Sequence, residues 1–364
     1  MPEIKCNECR EIAQPLDWRC QSCGGSLDLV DLPAFNPSSI HSDDFSLWRY
    51  RAMLPLERRF SLGEGLTPLV PVELDGARFQ AKLEYLNPTG SFKDRGTSTV
   101  LNHLAAHGAT EVIDNSSGNA GASLAAFAGI AGMSATVFVP AATAVESKKR
   151  LIRSFGGVII ESHDYLADVY AAAAKTTYAS HAWSPYFVLG QQTAAWETWE
   201  QLERRAPDAV ATPVGHGGLF LGFYRGFQAL QDAGLIEKLP RMIAVQSAGV
   251  DPVVCGWESG SLMPSQIKPG PSIADGILVD TPVRGAQILR ALYDSEGFAL
   301  RVDNAAIEAA QQSMHTRGFM IEATSAVTAA ALPQIRERIG EEAVLVIAFT
   351  GSGLKNLSAA PSPE

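Results

Sequence analysis

From about residue 77 the sequence alternates between short apolar runs and longer helix-like stretches, and this alternation limits the fold more than any other feature. The strand-like runs are ARFQAKL (77–83), EVIDN (111–115), ATVFV (135–139), GVIIE (157–161), AVATPV (209–214), MIAVQS (242–247) and AVLVIAF (343–349). Helix-like runs fall between them at 93–106, 119–131, 144–154, 164–178, 192–205, 219–233, 282–293, 304–315 and 324–338. Short apolar strands spaced by longer helices predict an α/β fold with mostly parallel sheets covered on both faces. In such folds ligands collect outside the C-terminal ends of strands, beside helix N-termini. The loops that follow the strands are therefore where chemistry is expected.

The chain has 364 residues, 46% of them hydrophobic and 19% charged, enough for a large core or two domains. A net charge of −10 without a basic cluster argues against nucleic acid as a partner. The start, MPEIKCNECR, lacks the apolar segment of a secretion signal, so a cytoplasmic location is expected. No charged residue lies between Asp114 and Glu146. Glycines and Pro140 break that run, and it changes at Met133 from Ala-rich to the β-branched TVFV. The expectation is a buried helix followed by a buried strand, with no membrane span.

Cys6, Cys9, Cys20 and Cys23 form two C-x-x-C pairs within the first 23 residues, separated by ten residues. Four thiolates so spaced can complete a tetrahedral Zn2+ shell, with Gly24-Gly25 permitting the turn after the second pair; a redox pair, the alternative, would expect one C-x-x-C at a helix start. A closed shell of this kind staples structure and leaves no position for catalysis. Cys255 stands alone and reads as a small buried hydrophobe. Residues 31–60 mix Pro, Ser, charges and aromatics, as an ordered linker on a larger body would.

Four loops carry candidate chemistry. In NPTGSFKDRG (87–96) a Pro-Thr-Gly turn leads into Lys93 at a helix start. The helix dipole and burial both disfavour an ammonium there and favour a neutral, nucleophilic amine. A surface lysine is the plain alternative. NSSGNA (115–120) follows a strand and opens a small-residue helix, where N–H groups and hydroxyls make an anion site. PVGHGGL (213–219) is again a strand, a Gly-rich turn and a helix, which lets the backbone wrap a phosphate. It matches neither dinucleotide nor P-loop spacing. FTGSGLK (349–355) ends the last strand with hydroxyls.

An amine, a carboxylate loop, a phosphate loop and a terminal hydroxyl, each at a strand end, suit pyridoxal phosphate. With SLGEGLTPL (61–69), these strings make residues 61 onward resemble the fold type II pyridoxal-phosphate enzymes (tryptophan synthase β-like), threonine synthases most closely. The cysteine pairs look like the zinc-ribbon extension that some threonine synthases carry. The resemblance implies a ribbon over 1–30, a linker over 31–60, a large domain from 61–93 and 186–364, and a small domain over 94–185. It implies a homodimer as well. By the same resemblance Lys93 would hold the cofactor as an aldimine. Asn119 would meet its 3′-oxygen, and Gly215, His216, Gly217, Gly218 and Leu219 would cradle its phosphate. Thr350, with Ser352 as second choice, would face its ring nitrogen. Ser116, Ser117, Gly118 and Ala120 would receive the substrate carboxylate.

The chain also departs from that pattern. Threonine synthases carry a string like N-S-x-N-P-x-R-x-E-G-Q whose Asn, Ser and Arg hold the substrate phosphate. Here it reads HAWSPYFVLGQ (181–191), with His181, Ala182 and Phe187 in those places. Losing the Arg removes a bidentate, permanently charged clamp. Lys148 to Arg150 and Arg153 are the remaining cations that could grip a phosphate, with a solvated helix face as the plain alternative. Trp183, Tyr186 and Phe187 are expected to line the vacated pocket, and His181 to act as a proton donor or as a structural histidine. The expected activity is that of a pyridoxal-phosphate-dependent carbon–oxygen lyase acting at the β carbon of a small amino acid, by elimination or replacement. True threonine synthase action on O-phosphohomoserine is one alternative, and a non-catalytic binding protein another.

Overall fold

A computed structural model describes residues 2–116, 118–141 and 146–356. The N-terminal ribbon pairs β1 (Glu3–Cys6) with β2 (Leu27–Val30) antiparallel. The segment after it is tied down by burial: Leu47, Trp48 and Tyr50 are fully covered, and Phe35 and Tyr50 pack against Trp196.

The hairpin β3 (Leu69–Leu74) and β4 (Ala77–Lys82) turns at Asp75-Gly76, both at positive φ, the two-residue turn that matches strand twist. After it come α1 (Lys93–Ala106), β5 (Glu111–Asp114), α2 (Asn119–Ala131), β6 (Ser134–Pro140) and α3 (Glu146–Ser154). Then follow β7 (Val158–Ser162), α4 (Tyr165–Ala172), β8 (Thr177–Tyr178) and α5 (Pro185–Gln201). The chain continues with β9 (Ala209–Pro213), α6 (Gly218–Asp232), β10 (Arg241–Ser247), α7 (Pro252–Glu258), α8 (Gly285–Asp294) and β11 (Phe298–Val302). It ends with α9 (Asn304–Thr316), α10 (Ala323–Ala330), α11 (Leu332–Ile339) and β12 (Leu345–Ala348).

One sheet has the order β11-β10-β9-β12-β4-β3 and is parallel except for the β3–β4 pair. Every residue of β9 and β12 is buried, as central strands covered by helices on both faces must be. A second sheet, β7-β6-β5-β8, is parallel throughout. The charge-free stretch after Asp114 forms α2 and β6. Thirteen residues span only about 20 Å, well short of a bilayer core of about 30 Å. Among the described residues no helix is long and apolar enough to cross a membrane.

Several boundaries differ from the sequence expectation. α4 stops at Ala172, and Thr177–Tyr178 pairs with β5, because β-branched and aromatic residues prefer the pleated edge. α5 starts at Pro185 instead of 192, with proline in the first turn, where its missing N–H costs nothing. The expected helix 324–338 is two helices that meet at Ala331, and Pro333 opens the second.

α1, α5 and α6 cross closely because glycines face the contacts. A Cβ on Gly190 would lie 2.2 Å from the Arg95 carbonyl oxygen, and one on Gly96 would lie 2.4 Å from the Phe187 ring. This packing sets the start of α1, and with it Lys93, against the wall provided by α5.

Candidate active site

The loop before α1 is held by its own polar side chains. The Asn87 amide donates to the Glu84 carbonyl at 2.8 Å, and its oxygen accepts from the Gly65 N–H at 2.9 Å. Asp94 accepts from the Thr89 N–H and hydroxyl, at 2.7 and 2.5 Å, and from the Ser123 hydroxyl at 2.6 Å. Burial pushes the Asp94 carboxyl up to about 6 against those donors. Arg95 points the other way. It meets Glu84 at 2.7 Å and Glu197 at 2.5 Å, both fully buried, and Lys82 joins Glu197 at 2.9 Å. Glu64 of the 61–69 string accepts from the Trp48 indole and from Ser61, each at 2.9 Å. That string and the Asp-Arg pair after Lys93 thus hold the loop in place.

The same loop is stitched to the end of β12. The Phe92 N–H donates to the Thr350 carbonyl at 3.0 Å, and the Ser352 N–H donates to the Gly90 carbonyl at 2.9 Å. Ser91 bridges Gly351. Two strings about 260 residues apart become neighbours in this way, and Lys93 and Thr350 line one cavity of about 370 Å³. Ser116, Gly118, Asn119 and Ala120 line it from the start of α2. Gly215, His216, Gly217, Gly218 and Leu219 line it from the start of α6, and His181 and Phe187 from before and within α5.

Lys93 is half-buried, with its Nζ 4.5 Å from the Phe92 ring centre and 5.6 Å from that of Phe187. Burial lowers its pKa to about 8, while the charges of Asp114 and Glu322 pull the other way. A substantial fraction of the amine is therefore neutral near pH 7–8. Both helix starts that face it lack a side-chain cap, at Gly118 for α2 and at Gly217 for α6. Among the described residues no cap side chain takes up their first-turn N–H groups, which can meet anions. Gly217 has φ +84°, and a Cβ there would lie 2.4 Å from Ile288, so only glycine makes this turn. An amine of lowered pKa and two uncapped helix starts in one cavity fit an aldehyde bearing a phosphate.

Other expectations meet a different outcome. Ser117 lies outside the described residues. Ser352 does not line the cavity; its hydroxyl accepts from the Leu354 N–H at 3.3 Å. Only Phe187 of the three aromatics reaches the cavity; Tyr186, its neighbour on α5, points about 100° away, and Trp183 lies in the turn before the helix. Tyr186 stacks on His103 with ring centres 3.7 Å apart, and Trp183 packs edge-on to Trp18 at 5.3 Å. Lys148 is buried, lines the cavity and pairs with Asp275, whereas Lys149 and Arg153 pair with Glu146 and Glu161.

The structure adds residues that the sequence did not single out. Glu322, at the start of α10, accepts both contacts of the Asn119 amide nitrogen, at 3.0 and 3.1 Å. The Asn119 oxygen accepts from Lys355 at 2.5 Å. Ser325 lies 3.0 Å from the Thr350 hydroxyl. Asp114 ends β5 and receives the His181 Nδ1 at 2.9 Å. A carboxylate directly before the NSSGN string was a usable signal for Asp114; Glu322 had no comparable one.

In the ribbon, the ligand atoms of Cys6, Cys9, Cys20 and Cys23 lie within 4.8 Å of one another. Cys6 to Cys23 and Cys9 to Cys20 are each 3.5 Å apart, sulfur to sulfur. A Zn–S distance of about 2.3 Å in a tetrahedron puts sulfurs about 3.8 Å apart, so the four fit that metal. The ribbon is anchored by Asp28, which pairs with Arg225 at 2.6 Å and with Arg284 at 3.2 Å.

Comparison with known proteins agrees with this geometry. The family described as "Pyridoxal-phosphate dependent enzyme" matches residues 60–351. A threonine synthase of Methanocaldococcus jannaschii is 30% identical over 98% of this chain and 93% of its own. One of Mycobacterium tuberculosis is 32% identical over 84% and 87%. Among solved structures, a T.th. threonine deaminase superposes with a TM-score of 0.67 at 27% identity, covering 81% of this chain and 94% of that one.

Proposed function

The chain belongs to the family of pyridoxal-phosphate dependent enzymes of the threonine synthase type, and from that premise we propose that it eliminates or replaces the β substituent of a small amino acid. The observation that carries this reading is the placing of Lys93, of lowered pKa, in one cavity with two uncapped helix starts and the Thr350 hydroxyl. Lys93 would bind the cofactor covalently, the first turn of α6 with Gly215–Leu219 its phosphate, Asn119 its 3′-oxygen and Thr350 its ring nitrogen. The bound cofactor supplies an electron sink for the pair left when the Cα proton is removed.

The remaining work falls to the chain's own groups. Lys93, with its amine free and neutral, would take the Cα proton. Ser116 and the first turn of α2 receive the substrate carboxylate and orient Cα towards Lys93. Thr350 shares its hydroxyl contact with Ser325, a neutral partner that cannot hold the ring nitrogen protonated as a carboxylate would. That poise suits elimination better than transamination. Phe187, 2% exposed, puts an apolar ring where the related string has a phosphate-holding arginine, which supports a substrate without a phosphate. In the ribbon, Cys6, Cys9, Cys20 and Cys23 would hold a structural Zn2+.

A second reading, threonine formation from O-phosphohomoserine, is favoured by the relatives' names and by Lys148, a buried cation in the cavity wall. The cofactor-loaded protein should be given L-serine, L-threonine, O-acetyl-L-serine and O-phosphohomoserine in parallel, with keto acid, ammonia and threonine measured. Keto acid or β-replacement product from the first three supports the proposal. Threonine from O-phosphohomoserine as the dominant product replaces it with the second reading. Lys93→Ala should lower any of these rates by at least about 10³-fold.

A further inference from the structure

We propose that His181, held by Asp114, is a catalytic general acid that protonates the oxygen leaving the β carbon; this rests on the β-elimination reading above. Asp114 is 1% exposed at the end of β5, and its Oδ2 lies 2.9 Å from the His181 Nδ1. A carboxylate only accepts, so Nδ1 carries the proton of that bond. The bond fixes the tautomer and the ring plane, and leaves Nε2 to exchange a proton elsewhere. The other Asp114 oxygen is buried and has no hydrogen-bond partner among the described residues. His181 lines the cavity that Lys93 lines.

The other groups around this cavity are poor candidates for the role. Burial, followed by the charges of His181 and Lys93, lowers His216 to about 3, so it carries no proton near neutral pH. Lys148 is committed to Asp275, and Glu322 to the Asn119 amide. Burial raises the Tyr165 phenol, which weakens it as an acid.

The step balances without any further reactant. Lys93 takes the Cα proton. The Cβ–O bond breaks, and its electron pair leaves with the oxygen. His181 enters the step as the imidazolium, with Nδ1–H on Asp114 and Nε2–H towards the cavity; the Nε2 proton passes to that oxygen, so water departs and a neutral imidazole remains, still donating through Nδ1 to Asp114. One proton and one hydroxide are lost in all. Hydroxide leaves poorly unless it is protonated, whereas acetate, phosphate or chloride leaves as a stable anion. A general acid at this point therefore favours a substrate with a free β-hydroxyl.

The test compares leaving groups. Wild type, His181→Gln and Asp114→Asn, each loaded with cofactor, are assayed on L-serine and on 3-chloro-L-alanine. His181→Gln should lower kcat on L-serine by about 10²–10⁴-fold with little change in KM, and the loss on 3-chloro-L-alanine should be at least tenfold smaller. Asp114→Asn should show the same bias with smaller losses. Equal losses on both substrates overturn the proposal while leaving the β-elimination reading intact. If the wild type turns over neither substrate, that reading falls and the proposal with it. A separate measurement needs no turnover: 15N spectra of the cofactor-free chain should show Nδ1 of His181 protonated near neutral pH, and an unprotonated Nδ1 overturns the dyad.

Discussion

Lys93 and Arg95 lie two residues apart on the first turn of α1, and their surroundings are opposite. Arg95 has 0% side-chain exposure and meets two carboxylates that are equally buried. Burial works against its charge, and Glu197 and Glu84 outweigh it, holding the guanidinium above its ordinary pKa. Burial also opposes ionisation of Glu197, and Arg95 and Lys82 outweigh it, bringing that carboxyl down to about 2. Among the described residues Lys93 has no such partner: its Nζ sits over the rings of Phe92 and Phe187, and burial lowers its pKa to about 8. The same helix turn thus anchors itself with one cation and leaves another with a lowered pKa facing the cavity. A charge that is fully paired holds a fold in place, and only an amine without a carboxylate contact loses its proton easily enough to react.

Removing the carboxylate that pairs Arg95 should have the largest effect. Glu197→Gln leaves Arg95 and Lys82 sharing too little negative charge and should cost about 3–5 kcal/mol, read from denaturant unfolding of the cofactor-free chain. A loss under about 1 kcal/mol would mean that the nest does not anchor α1. The companion variant tests the other cation. The Lys93 pKa falls from 10.5 to about 8 on folding, so below pH 8 the unfolded chain gains from protonation what the folded chain resists. The unfolded state binds more protons between pH 8 and 10.5, so wild-type stability rises with pH across that window. Lys93→Met should accordingly stabilise the cofactor-free chain by up to about 3 kcal/mol below pH 8, a gain that shrinks towards zero by pH 10.5. Destabilisation by Lys93→Met at pH 7 would contradict the picture of an unpaired ammonium.

The same contrast explains what the sequence reveals. The alternating core is legible because β9 and β12 are buried on both faces and read as unbroken apolar runs. The two strands of that sheet absent from the expected runs, β3 and β11, are its edges. Edge strands tolerate Pro71 and Arg301, which break an apolar run, so periodicity fails there. The cavity is legible in part for a related reason. Lys93, Asn119, the 215–219 turn and Thr350 each sit in a local string with its own turn chemistry. The carboxylates that complete the site gain meaning only from partners far along the chain: Asp114 is 67 residues from His181, and Glu322 is 203 from Asn119. Nothing local marks such pairs, whereas a glycine at positive φ or a proline in a first turn leaves a local trace.

The mildest expected effect concerns another cation, the half-buried Lys355, which lies between these two extremes. Lys355 donates to the Gly90 carbonyl at 2.8 Å and to the Asn119 oxygen at 2.5 Å, and burial lowers its pKa. Among the described residues it contacts no carboxylate directly; Glu322 is reached through the Asn119 amide. Lys355 therefore fixes which way that amide faces, with oxygen towards the ammonium and nitrogen towards Glu322. Asn119 has a second amide hydrogen to offer a ligand oxygen only while that orientation holds. Lys355→Met should free the amide to turn and weaken cofactor retention by about tenfold, or about 1.4 kcal/mol, as measured by equilibrium dialysis against pyridoxal phosphate. The loss should not exceed that of Asn119→Ala, and combining the two substitutions should add little beyond Asn119→Ala alone. Full additivity would show that Lys355 acts through Gly90 and the loop before α1 instead, as one more anchor like Arg95.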